Sequence, residues 1–425
     1  MKRIVRVLAG MLAGFVAAMA AAQIAVPLPQ LPLPPLPGTV TETLQTAQAQ
    51  LGELRKLRVR ELLRTERATV EADPDGQPIL RRQIGAISPS PEALERARAA
   101  GFTVISERRL EGLGLELVVL EAPSGMSTRR ALKRMRKLDP EGEYDFHHLY
   151  VESGIARPAV PAESTPPAPP MPPAAAPRIG LIDSGVDSGH AALAALRIHR
   201  HGCGGQNLAA PHGTAVASLL AANSAGFRGV SPGAELYAAD VFCGHGGGSV
   251  ALVAEALDWM ARERVPVVNI SLVGAKSVLM TGIVRAMTRR GHLLIAAVGN
   301  DGPSAPPLFP AAYPEVVGVT AVDAGDRALP EAGRGEHVDF AAPGAGIYAA
   351  QPGGAFAPVR GTSFATPIVA GLLAAALPAP DPQSAQAALD ALAATAVDLG
   401  RNGRDPTYGL GLVGGRYRPA GRIGE

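Results

Sequence analysis

Short, strongly apolar runs recur through the second half of this chain, and each is set off by a stretch long enough for a helix. The runs fall at 178–183, 235–242, 265–272 and 293–298 and are rich in Val, Ile, Leu and Ala. Near-continuous apolar character marks strands buried on both faces rather than on one. Strand-then-helix order of this kind builds a parallel sheet covered by helices on both sides. Further strand is expected at Glu315–Val322 and Val338–Phe340. The chain is therefore expected to fold as α/β over residues 178–418, and sites in such sheets form at the C-terminal ends of the strands.

Four residues stand at places of that kind. Asp183 ends the first run, in Ile179-Gly180-Leu181-Ile182-Asp183; a solvated turn aspartate is the plain alternative. His212-Gly213-Thr214 opens a helix expected over Ala215–Ala222. A histidine at a helix start is held neutral by the dipole, and there it is exposed enough to serve as a base. Asn300 lies between Gly299 and Asp301-Gly302 after a strand, where it either makes a turn or aims an amide. Ser363 lies in Gly361-Thr362-Ser363-Phe364-Ala365-Thr366-Pro367, ahead of an apolar helical run. Pro367 is expected just inside that helix, where its missing N–H costs nothing. Ser363 then has its hydroxyl and its own N–H at the positive helix end, a good position for a nucleophile whose attack creates an oxyanion.

The order Asp, His, Asn, Ser with these flanks resembles the subtilisin-like serine peptidases. The matching stretches are IGLIDSGVD (179–187), HGTAVASLL (212–220), VVNISL (267–272), AAVGND (296–301) and GTSFATPIVAG (361–371), and the closing DLGRNGRDPTYGLGLV (398–413) is also similar. The resemblance implies a subtilisin-like fold and hydrolysis of peptide bonds through an acyl-enzyme. Ser363 would be the nucleophile, His212 the base, Asp183 its orienting partner and Asn300 the oxyanion donor. It implies an extended substrate paired with Ser271, Leu272 and Val273, with the loop around Gly247 on the other side. No cofactor is needed for this chemistry. The family often binds calcium shortly after the Asp motif, but His190-Ala191-Ala192-Leu193 offers no carboxylate, which leaves structural calcium open. Phe364 and Ala215 replace residues common in relatives without touching the mechanism.

Residues 79–151 read as a small α+β domain of order β-α-β-β-α-β, that of a ferredoxin-like unit. Ser90 is expected to cap its first helix, with Pro91 at the first position. The resemblance gives this domain a role as a prodomain that helps folding and fills the cleft. Its end, His147-His148-Leu149-Tyr150, would lie in the site, with self-cleavage after Tyr150 or elsewhere in 151–177. A permanent accessory domain is the alternative.

The remaining segments complete the organisation. Lys2, Arg3 and Arg6 precede an apolar run to Ala22 ending Ala20-Ala21-Ala22, the pattern of a signal peptide over 1–22. Export to the periplasm or medium is expected, with no membrane attachment after signal removal; an uncleaved membrane anchor is the alternative. Residues 23–78 hold a Pro-rich spacer and a helical pattern from about Thr41 to Arg67; 152–177 are a Pro/Ala-rich linker and 419–425 a tail. The two cysteines, Cys203 and Cys243, fit no zinc spacing and read either as a disulfide of an exported protein or as two separate thiols. With 40 Lys and Arg against 38 Asp and Glu, the chain lacks the basic excess of a nucleic-acid binder. The expected partners are a protein or peptide substrate and the chain's own prodomain, in a monomer. A catalytically silent binding protein and an esterase are the competing readings.

Overall fold

The computed structural model describes residues 55–156 and 176–417. The expected signal peptide, the whole Pro-rich spacer, the helical pattern as far as residue 54, most of the linker and the tail lie outside the described residues.

Helix α1 spans 55–65. There follow β1 (Val70–Ala72), β2 (Pro78–Ile87), α2 (Pro91–Ala99), β3 (Thr103–Leu110), β4 (Leu115–Glu121), α3 (Thr128–Leu138), β5 (Glu143–Glu152) and β6 (Ile155–Ala156). After the linker come β7 (Arg178–Asp183), β8 (Ile198–His201), α4 (Pro211–Ala221), β9 (Glu235–Asp240), β10 (Gly248–Ser249), α5 (Val250–Arg262), β11 (Val267–Ile270) and β12 (Leu272–Val273). The chain continues through α6 (Val278–Thr288), β13 (Leu293–Ala297), β14 (Val317–Val322), β15 (Phe340–Pro343), β16 (Ala345–Gln351), β17 (Ala355–Arg360), α7 (Thr362–Ala376) and α8 (Pro382–Ala393).

The large sheet has the order β15-β14-β13-β11-β7-β9-β8, parallel throughout. Alternate residues of its strands point to opposite faces. Ile179, Leu181 and Ile295 join Val216, Phe364 and Ile368 of α4 and α7 on one side. Ile182, Val268 and Leu294 join Leu257 and Ile283 of α5 and α6 on the other. This two-sided burial is why the strands read as unbroken apolar runs.

The β-α-β-β-α-β unit forms an antiparallel sheet with the order β5-β2-β4-β3. Ser90 caps α2 by accepting from the Ala93 N–H at 3.1 Å, with Pro91 at the first position. One face packs Ile84, Val118 and Leu120 against Leu94, Leu132 and Met135 of the two helices. The opposite face sets Ile87, Leu110 and Leu117 on α5 and α6. The Asp145 carboxylate accepts from the Val278 N–H at 2.8 Å, placing a negative charge at the start of α6.

Several local expectations need correction. Helix α4 begins at Pro211, so His212 is inside its first turn rather than ahead of it. Helix α7 begins at Thr362, which makes Pro367 its sixth residue, well inside the helix. Strand β1 lies before residue 79 and pairs with β2. The antiparallel β16–β17 hairpin was not foreseen, because its short pattern carries little periodicity. Among the described residues no helix is long and apolar enough to cross a membrane.

Candidate active site

Asp183 ends β7 and is fully buried. Its Oδ1 faces His212 Nδ1 at 2.8 Å and also accepts from the Ser184 N–H at 2.7 Å. The parallel strand delivers the carboxylate to the sheet edge, and α4 brings the imidazole to it. Ser363, the second residue of α7, is also fully buried. Its hydroxyl donates to the Ser271 carbonyl at 3.4 Å. His212 Nε2 has no hydrogen-bond partner among the described residues. The ring lies 5.3 Å from that of Phe364.

The expectation of an exposed, neutral His212 is corrected: the residue is 3% exposed. Burial alone would hold the imidazole neutral. The charges of Asp183 and Glu152, with the Asp183 hydrogen bond, outweigh burial and leave His212 above its ordinary value. Asp183 is raised as well, by burial first, against the pull of His212 and the Ser184 N–H.

Asn300 is fixed from both ends of its amide. Its Oδ1 accepts from the Thr362 N–H at 3.0 Å, tying it to the start of α7. Its Nδ2 donates to the Ser153 hydroxyl at 3.0 Å.

The cover over His212 is the chain's own strand. β5 runs antiparallel between β10 and β12, with Tyr150 opposite Gly248, Leu149 opposite Ser249, Val151 opposite Val273 and Glu152 opposite Leu272. The Ser153 N–H then donates to the Ser271 carbonyl at 3.5 Å. Past this point β6 pairs with β17, Ile155 opposite Arg360 and Ala156 opposite Val359. The segment thus lies in the cleft as an extended peptide does in strand addition. Leu272 and Val273, expected to pair with a substrate, pair here with the chain's own β5, and Ser271 adds its carbonyl. On the opposite wall Gly248 and Ser249 carry the pairing, while Gly247 only borders it: a Cβ there would meet Leu149 Cβ at 3.3 Å.

This register places Tyr150 away from Ser363, not beside it as expected. Its ring is fully buried against Gly274, where a Cβ would come within 2.6 Å of it, and its hydroxyl donates to the Ala275 carbonyl at 3.4 Å. The residues at Ser363 are Ser153 and Gly154: a Cβ on Gly154 would stand 3.4 Å from the Ser363 Oγ. The offset of three residues is set by how β5 pairs, and tertiary pairing of that kind leaves no local mark in a sequence.

Helix α1 falls inside the helical pattern expected from about Thr41 to Arg67, but sequence reasoning missed what its arginines hold. Arg58 Nη1 donates to the Glu152 carbonyl at 2.8 Å and Nη2 to the Gly154 carbonyl at 3.2 Å. Arg55 pairs with Asp301 at 3.0 Å. Val59 packs with Val151, Val273 and Leu308, and Leu62 with Leu149. The leucine spacing signalled a helix, but nothing local tied its arginines to the cleft.

Cys203 and Cys243 are joined, with Cα atoms 5.1 Å apart, so the turn after β8 is tied to the segment leading into β10. The stretch 190–193 is held without a carboxylate: His190 Nε2 faces the Ala355 carbonyl at 3.0 Å, and Nδ1 accepts from the Ala192 N–H at 3.1 Å. Two groups among the described residues bring metal-binding side chains together. They are Cys203–Asp240–Cys243, whose thiols are already bonded, and Glu152–Asp183–His212, which is the site itself.

Comparison with known proteins gives the same address. The model of the subtilase family matches residues 175–411. Subtilisin Savinase of Lederbergia lenta is 37% identical over 206 residues, which cover 48% of this chain and 75% of that protein. Subtilisin E of Bacillus subtilis (strain 168) is 32% identical over 252 residues, 56% of this chain and 64% of its own. The minor extracellular protease Epr of the same organism is 32% identical over 248 residues, and this match spans only 37% of its length. Among solved structures, fervidolysin from Fervidobacterium pennivorans, a keratinolytic enzyme related to subtilisin, shares the fold. Its TM-score is 0.66 at 21% identity, over 84% of this chain and 63% of that one. The Prenylagaramide maturation protease PagA aligns with a TM-score of 0.50 at 25% identity, over 56% of this chain and 91% of its own. By the match over residues 175–411, the chain belongs to the subtilase family of serine peptidases.

Proposed function

We propose that the protein is an exported serine endopeptidase made as a self-processing precursor, with the residues between the signal peptide and Ser153 acting as its prodomain. The observation that carries this reading is a substrate-like strand lying over an Asp183–His212 pair and Ser363 at a helix start. In the reaction Ser363 Oγ adds to a peptide carbonyl carbon as His212 Nε2 takes its proton. Asp183 holds the imidazole by Nδ1 and stabilises its charged form. The oxyanion is received by Asn300 Nδ2 and the Ser363 N–H at the positive end of α7. His212 then gives its proton to the departing amine, and water releases the acyl group by the same steps in reverse. This chemistry draws on side chains, one backbone N–H and water.

Substrates would enter as strands between β10 and β12, which selects unfolded or extended segments of protein. The signal-like pattern at 1–22 supports export. The test is labelling with a fluorophosphonate beside intact-mass analysis of the exported wild type and Ser363→Ala. The expected result is a label on Ser363 and trimming of the wild type only. Equal trimming of both proteins assigns maturation to another protease; no label on any form makes the chain a silent scaffold.

A further inference from the structure

We propose that the bond the protein cuts in itself is Ser153–Gly154, and that α1 holds this bond one rotation short of attack. The inference rests on the reading of the site as a self-processing peptidase and names its first substrate.

The register assigns the bond. Upstream, pairing ends with Glu152 on Leu272 and the Ser153 N–H on the Ser271 carbonyl. Downstream, it resumes with Ile155 on Arg360. The chain crosses Ser363 in the interval between, at residues 153 and 154. Gly154 has φ +148°, in the region that favours glycine, and a Cβ there would also come within 2.9 Å of the Phe364 ring. Only a glycine lets the backbone approach the nucleophile this closely.

The contacts around the bond are those of a held substrate. Asn300 Nδ2 is engaged by the Ser153 hydroxyl, and Ser363 Oγ by the Ser271 carbonyl. For attack, the Ser153 carbonyl must replace its own side chain at Asn300, which requires the peptide planes at 152–154 to rotate. Arg58 opposes that rotation. Its one guanidinium grips the carbonyls of Glu152 and Gly154, on either side of the Ser153 carbonyl, and its Nη2 lies 3.7 Å from the Glu152 carboxylate. A planar two-armed donor fixes orientation in a way that a point charge does not. Arg58 is itself seated by the burial of Val59 and Leu62, and by the Arg55–Asp301 pair one turn earlier.

Once the hold is released, Ser363 Oγ bonds to the Ser153 carbonyl carbon and its proton passes to His212. The C–N bond to Gly154 breaks, and the proton goes to the Gly154 nitrogen. Water then hydrolyses the acyl-enzyme. The products are a carboxylate at Ser153 and an amino terminus at Gly154.

The experiment follows self-cutting of the full exported chain by intact mass at early times, for wild type, Ser363→Ala, Arg58→Ala, Arg58→Lys and Ser153→Ala. The expected first product ends at Ser153. Arg58→Ala and Ser153→Ala are expected to form it about tenfold faster, the scale of a charge-assisted contact, and Arg58→Lys nearly as fast as Arg58→Ala. Unfolding temperatures measured on the same variants carrying Ser363→Ala separate loss of the hold from loss of the fold. A first cut at another bond overturns the assignment. A cut at 153–154 that is unchanged or slower in both Arg58 variants, with unfolding temperatures preserved, overturns the hold. Absence of fluorophosphonate labelling in every form defeats the peptidase reading itself, a failure distinguishable from these two.

Discussion

Pro367 lies four residues after Ser363 in α7, so the Ser363 carbonyl faces a position that has no N–H to offer. The Ser271 hydroxyl fills that place, donating to the Ser363 carbonyl at 3.1 Å. A proline inside the helix that carries Ser363 is thus coupled to the floor of the cleft. Ser271→Ala leaves a buried carbonyl unpaired and is expected to cost about 1–3 kcal/mol, read from denaturant midpoints in Ser363→Ala protein. Pro367→Ala restores an N–H, and the double variant is expected to recover part of the loss. Strict additivity of the two changes would contradict the coupling.

Asn300 is held by the Thr362 N–H, which fixes the direction of its amide before any substrate arrives. Asn300→Ala in matured protein is expected to lower kcat by about 10²–10³, the usual loss for one oxyanion donor, with KM little changed. A matching rise in KM would instead mark Asn300 as a binding residue.

The precursor is expected to lose stability in mild acid. His147 is wholly buried in β5, Nδ1 facing the Gln83 amide oxygen at 2.9 Å, and burial first, then His148, pulls it down to about 4. Unfolded, a histidine titrates at about 6.5. Between these values the unfolded chain takes up a proton that the folded chain refuses, so stability is intact above the upper value and falls toward the lower. The gap is worth about 3 kcal/mol in all. Denaturant midpoints of Ser363→Ala from pH 7.5 to 4 measure it. His147→Gln is expected to flatten that part of the profile; an unchanged slope would assign it to other groups.

The Cys203–Cys243 bond closes a loop of 40 residues. Chain entropy puts its worth at about 4 kcal/mol. Cys203→Ser with Cys243→Ser is expected to lower stability on that scale and to loosen the wall carrying β10. Hydrogen exchange at Gly248 and Ser249 reads the second effect, and protection there equal to wild type would show that the wall stands without the bond.

What could be read from the sequence was what local chemistry writes into it. Asp183, His212, Asn300 and Ser363 stand out because each needs a particular turn, strand end or helix start, and those leave short motifs. The small domain was legible for the same reason, from the Ser90 cap and Pro91 through the alternation of β2 and β4. Tyr150 was expected beside Ser363 but lies three residues upstream of the Ser153 that stands there, because the pairing of β5 with β10 and β12 is decided by the whole docked domain. His212 looked exposed because the segment that buries it is remote in the chain. Arg58 carried no signal at all, since one arginine on an amphipathic helix looks like any other. Pro367 misled in a different way: a proline usually marks a helix start, but here the Ser271 hydroxyl lets it sit inside.

Strand β5 begins within the small sheet and ends in the cleft, on one continuous piece of chain. While that chain is whole, any incoming peptide competes with a tethered occupant at an effective concentration on the order of millimolar. If the bond after Ser153 is cut as proposed, this first-order blockade would become an ordinary two-body equilibrium. From then on the share of vacant clefts depends on dilution. On the proposed reading, a crowded compartment would keep the two pieces together and dispersal into a larger volume would let them part, so dilution would set the onset of activity.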